Sequence, residues 1–129
     1  MEFIRPNSLA IDEQDRLWVA DACNHRIQVF EIKDNQPNLV MMWGEEGTEP
    51  GQMRYPYDLT FDREGNLIVA EFGNHRIQKF TPDGKSLGVW GMAGREAGQL
   101  QQPWAVVAGA DGRIHVLDTY NHRVQRVRL

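Results

Sequence analysis

The sequence predicts an all-β fold assembled from three copies of one strand-and-turn unit, on three observations. Asn24-His25-Arg26-Ile27, Asn74-His75-Arg76-Ile77 and Asn121-His122-Arg123-Val124 recur at offsets of 50 and 47 residues. Sliding the chain by those offsets brings Pro6 onto Pro56 and Pro103, Asp21 onto Glu71 and Asp118, and Val19 onto Val69 and Val116. No stretch of useful length carries a 3.6-residue apolar period; short apolar or alternating runs are separated instead by Gly, Pro, Asn and Asp. A period of 47–50 residues is that of β-propeller blades, four-stranded sheets that need neighbours to bury both faces.

The middle copy shows each strand in turn. Residues 58–62 alternate as a short strand and end at Arg63-Glu64-Gly65-Asn66, a turn whose Gly takes positive φ easily. Leu67-Ile68-Val69-Ala70-Glu71 is apolar on both sides, as a strand between two sheets should be. Gly73-Asn74 turns the chain into residues 76–80, Thr81-Pro82-Asp83-Gly84 turns it again, and residues 86–90 make a fourth strand. The repeats run about 5–53, 54–100 and 101–129, and 1–129 reads as one unit. Because the third copy stops at Leu129 after its third strand, eleven strands are expected.

Composition narrows the function classes. Fourteen Lys and Arg against eighteen Asp and Glu leave a net charge of −4, which disfavours a general nucleic-acid or anionic-membrane binder. A lone cysteine, Cys23, excludes an internal disulfide framework and a Cys-rich zinc site. No apolar run reaches the ~20 residues of a spanning helix, and the opening residues lack the pattern of a signal peptide. No localisation follows.

The linking segments repeat as well, Trp43-Gly44-x-x-Gly47-x-x-x-Gly51-Gln52 matching Trp90-Gly91-x-x-Gly94-x-x-x-Gly98-Gln99. With the Pro-led strand, the Gly turn, the Val-x-Asp strand and Asn-His-Arg-Ile-Gln, this pattern resembles the NHL repeat over essentially the whole chain. Arg stands where the name-giving triplet has Leu, and Gly109 replaces the Asp that follows the first strand in the other copies. The resemblance implies an NHL-type β-propeller, three blades in this chain and six in a ring. Three blades of about 60° each subtend half a turn, so either a homodimer closes the ring or the chain is a piece of a longer polypeptide. A half ring should expose apolar end faces, to which Leu17, Trp18, Val19, Ile114, Val116 and Leu117 would contribute. The outer edge at 123–129 is expected to stay exposed; the alternative adds a partner's residues 1–4 to it as a strand.

Elements present in every copy serve the scaffold and not one site. Asp21, Glu71 and Asp118 lie five residues before Arg26, Arg76 and Arg123, so acid and base meet across each turn. Asn24, Asn74 and Asn121 suit the turn, closing it on the backbone or taking left-handed geometry. His25, His75 and His122 fall in different blades, so the expectation is a bond within the turn or to the next blade and no shared metal. Function belongs where copies differ. The residue after each repeat's Pro is Asn7, Tyr57 or Trp104, and these with Asp58 are the candidate channel-mouth residues, either lining a binding site or plugging the channel. The resemblance implies an interaction or ligand-binding scaffold for a protein or small molecule. Its alternatives are an enzyme of lyase or lactonase type and an RNA reader. The amidating lyases among such propellers place a zinc-binding His directly after the Pro; here no His occupies those places, so neither metal nor other cofactor is expected. The first linking loop carries Glu45, Glu46 and Glu49 against Arg54, which disfavours RNA.

Overall fold

The computed structural model describes residues 2–129. Strands β1 (Pro6–Ile11), β2 (Leu17–Asp21), β3 (Arg26–Lys33) and β4 (Gln36–Trp43) form the first sheet. The second comprises β5 (Pro56–Phe61), β6 (Leu67–Glu71), β7 (Arg76–Phe80) and β8 (Ser86–Trp90); the third has β9 (Ala105–Ala108), β10 (Ile114–Asp118) and β11 (Arg123–Val127). Each sheet is an antiparallel meander in chain order, so the eleven expected strands are present and the third sheet stops at three. No helix among the described residues is long and apolar enough to cross a membrane.

Turn chemistry explains the first hairpin of each sheet. Asp12 Oδ1 accepts the Gln14 and Arg16 N–H groups at 2.9 and 2.8 Å, and Asp62 Oδ1 accepts those of Glu64 and Asn66, each at 2.9 Å. Gly109 cannot do this, and Asp111, two residues on, takes the Arg113 N–H at 3.0 Å instead. Between the second and third strands of every sheet lies one 3-10 turn: Ala22–Asn24, Phe72–Asn74 and Thr119–Asn121.

The sheets pack face to face, and the seams between them are the core. Trp18, Ala20, Ile27 and Val29 of the first sheet meet Met53, Leu59, Leu67, Val69 and Phe80. Ile68, Ala70 and Ile77, on the other side of the second sheet, meet Leu100, Val106, Ile114 and Val116. Every residue of β6 is therefore buried, because the second sheet, unlike the first and third, has a sheet on both sides. Each aliphatic side chain buried in a seam contributes roughly 1.5–3 kcal/mol.

The end faces differ from those expected. Trp18, Ile114 and Val116 point into the internal seams and are buried, as is Val19; of the anticipated set, Leu117 is exposed. Side chains alternate along a strand, so the open face of the third sheet shows Val107, Leu117 and Val124, and that of the first shows Leu9 and Ile11. Residues 2–4 lie against their own blade. Ile4 N–H donates to Asp21 at 2.8 Å, its carbonyl accepts the Cys23 N–H, and Phe3 lies edge-on to Phe30 at 5.7 Å.

Candidate functional site

One end of every sheet carries the same polar corner. In the first, Asp21 Oδ2 accepts from Asn24 Nδ2, Arg26 Nε and Gln28 Nε2 at 2.9, 2.8 and 3.0 Å. Glu71 takes Asn74, Arg76 and Gln78 at 2.7, 2.8 and 2.8 Å, and Asp118 takes Asn121, Arg123 and Gln125 at 3.0, 2.7 and 3.2 Å. The three carboxylates are fully buried. Burial pushes the Asp21 and Asp118 carboxyls up, yet the donors around them outweigh it and hold both below the ordinary 3.8. Each of the three carboxylates accepts four hydrogen bonds, the fourth from the Ile4, Arg54 or Gln101 N–H.

The corner's outer donors hold the linker arriving from the preceding blade. Arg76 donates to the Thr48 and Gln52 carbonyls at 2.7 and 2.9 Å, Asn74 to Gly47 at 2.9 Å, and Gln78 to Gln52 at 3.0 Å, while Gln78 Oε1 accepts the Gly51 N–H at 2.8 Å. Arg123, Asn121 and Gln125 hold Gln99, Gly94 and Gly98 in the same way. In the first blade Arg26 reaches the Glu2 carbonyl, and Gln28 Oε1 is buried with no partner among the described residues.

Left-handed geometry falls on the histidines and not on the asparagines, which end the 3-10 turns. His25, His75 and His122 have φ of 54°, 54° and 55°. That conformation aims His25 Nδ1 at the next blade, where it accepts the Tyr55 N–H at 3.0 Å; His75 Nδ1 accepts the Gln102 N–H at 3.0 Å. His122 is exposed.

Asn7 and Tyr57 sit in bulges, since the ladder of β1 with β2 skips between Pro6 and Ser8 and that of β5 with β6 between Pro56 and Asp58. A bulge re-aims the extra side chain. Asn7 Nδ2 donates to the Tyr57 carbonyl at 2.9 Å. The Tyr57 ring stacks on Phe72 at 4.2 Å and meets Trp104 edge-on at 5.2 Å; Phe72 in turn meets Trp104 at 5.7 Å and Tyr120 at 6.3 Å. Tyr57 and Trp104 thus join two rings that the sequence reading passed over. Phe72 stands opposite Ala22 and Thr119, and Tyr120 opposite Cys23 and Gly73. These are places where the copies differ, and that same criterion would have found them. Asp58 is separate from the rings: it bridges sheets, taking the Ser8 hydroxyl and the Val106 N–H, the latter at 2.9 Å.

The patch is a surface of four aromatic edges and faces, with Trp104 and Tyr120 exposed. Such a surface gathers apolar and planar groups and offers ring polar tips as handles. No set of three His, Cys, Asp or Glu among the described residues is grouped to hold a metal. A concavity of about 470 Å³ lies at the opposite end of the seam between the first two sheets. Of the four acids that line it, Asp12 is engaged with Arg16 and Trp18 and Asp62 with Lys79.

The family model for the NHL repeat matches residues 3–30, 53–80 and 100–127. Protein brain tumor of Drosophila melanogaster is 36% identical over 55 residues, 43% of this chain and 5% of that protein. Among solved structures, a catalytically inactive H270A virginiamycin B lyase from Staphylococcus aureus with quinupristin is 16% identical, at a TM-score of 0.74 over 99% of this chain. An auxiliary nutrient binding protein from Bacteroides thetaiotaomicron is 14% identical, with TM-score 0.74 over 92% of it. The chain spans 39% and 36% of those two proteins, and at such identities the likeness is one of fold. Three repeat matches, each covering the inner three strands of a sheet, place this chain in the NHL-repeat family.

Proposed function

We propose that the chain is a non-catalytic binding scaffold, that two copies complete a six-bladed ring, and that the recognition surface is the aromatic patch of Tyr57, Phe72, Trp104 and Tyr120, with Asn7 at its edge. The observation that carries the reading is the patch itself. Four aromatic rings from two blades converge on one end of a seam, two of them exposed, at positions the repeat does not conserve between its own copies. Rings fixed by stacking lose little freedom on binding, which is why Trp and Tyr dominate interface energetics. The enzyme reading has no support of this kind, because the buried carboxylates spend their lone pairs on the polar corners. A peptide or protein loop bearing an apolar or aromatic side chain fits the surface.

Selection of a random-peptide display library on the wild-type protein tests this. Selected peptides should lose at least about tenfold in affinity on Trp104→Ala or Tyr120→Ala, the loss of one interface anchor. They should bind a Pro82→Ala control, at the opposite concavity, unchanged. Peptides that ignore both aromatic substitutions would overturn the assignment.

A further inference from the structure

The two ends of the arc carry the two halves of a third seam, and we infer that they close on each other, blade one of one copy against blade three of a second. This rests on the two-copy ring proposed above and adds which residues make the seam and that it is heterologous. The internal seams are the template. Val124 stands in the repeat where Ile27 and Ile77 stand, and Leu117 where Ala20 and Ala70 stand; those four are fully buried against the following blade, while Val124 is 62% exposed. Leu9 stands where Leu59 and Val106 stand, both buried against the preceding blade, yet it is 65% exposed. Phe3 likewise matches Met53 and Leu100, which are buried, and is itself exposed. Half of the missing cluster is therefore at each end.

The polar lock is divided in the same way. Tyr55 and Gln102, with φ of 51° and 52°, turn their N–H groups onto His25 and His75. Arg5 has the same left-handed φ, 53°, and His122 the same 55° as its counterparts, but each stands at an open end. The donor conformation is set on one end and the acceptor conformation on the other. An open concavity of about 410 Å³, lined by Val106, Val107, His115, Leu117 and Val124 among others, receives the Leu9 side chain. At this seam Ala105 and Val107 replace the bridging Asp58 and Thr60, so the closing contact is more apolar than the internal ones. Because donor and acceptor faces differ, each contact is heterologous, and two of them related by a two-fold axis close a ring.

Sedimentation of the full chain tests the seam with two variants at exposed positions. Wild type should run at twice 14.8 kDa, and Leu9→Lys and Val124→Glu should each run as monomers. An equimolar mixture of the two should regain dimer mass, because one seam of the mixed dimer is wild type and the other joins opposite charges. A dimer that ignores both variants would overturn this seam while leaving the two-copy ring standing. Dissociation by Val124→Glu alone, with no rescue on mixing, would show blade three pairing with itself and sink the heterologous contact. A wild-type monomer would end both readings.

Discussion

Arg76 and Arg26 occupy equivalent corners but not equivalent surroundings. Arg76 is buried and ties Glu71 to three linker carbonyls, whereas Arg26 is partly exposed and among the described residues reaches only Asp21 and Glu2. Removing one partner of a buried pair strands the other's charge, at a cost of about 3–5 kcal/mol. Arg76→Ala should therefore lower stability by about 3 kcal/mol in chemical denaturation, the low end because Asn74 and Gln78 still solvate Glu71. Arg26→Ala should cost less, and equal losses would contradict the linker's role. The same corners set the acid limit. Asp21 and Asp118 have folded pKa values below the ordinary 3.8, so their contribution is complete above that value and is lost as pH falls through the lower folded ones. Denaturation midpoints measured between about pH 6 and pH 2.5 should fall at the acid end, and Asp118→Asn should flatten that fall; an unaltered profile would count against it.

At the scale of elements, the linkers depend on their Trp-Gly pair. Gly44 has φ of 115°, and a Cβ there would lie 2.5 Å from the Met53 methyl and 3.0 Å from both the Arg26 Cα and the His25 carbonyl oxygen. Gly65, also left-handed at 81°, would point a Cβ into open space. Gly65→Ala should cost the conformational penalty of about 1–2 kcal/mol, and Gly44→Ala clearly more, since backbone has to move as well. Melting temperatures compare the two directly, and indistinguishable shifts would refute the packing argument. Strands and turns of this kind were legible because alternation, Gly turns and the repeat register all bear on the local chain. What escaped was set by neighbours. Trp18 and Val116 look like end-face residues until a sheet is packed over one side, and Phe72 gains its meaning only beside Tyr57 and Trp104. Left-handed geometry, one of the two roles open to Asn in the sequence, falls instead on the next residue, where His25 uses it to reach the next blade.

For the whole molecule, an apolar closing seam has a thermodynamic signature. In the proposed seam the exposed Leu9, Leu117 and Val124 would associate through burial, which salt does not screen and which weakens on cooling. The dimer fraction at fixed concentration should thus hold from low to about 0.5 M salt and decline on cooling toward 5 °C, roughly the regime in which hydrophobic stabilisation fades. Dissociation by salt alone would mean that charge, not Leu9 and Val124, holds the copies together.

The capture of each linker by the blade that follows it also orders events in time. The segment through Gly47 and Gln52 is gripped by Asn74, Arg76 and Gln78, which a ribosome adds more than twenty residues later. Until that next corner has emerged, the linker has only its own bonds, such as Gly47 N–H to the Met53 carbonyl, and the carbonyls it offers to the corner stay unfastened. Growth of the chain therefore fastens blades backward, each new corner sealing its predecessor, and the Gly51 amide, which donates to Gln78 Oε1, should gain hydrogen-exchange protection only in nascent chains long enough to expose Gln78.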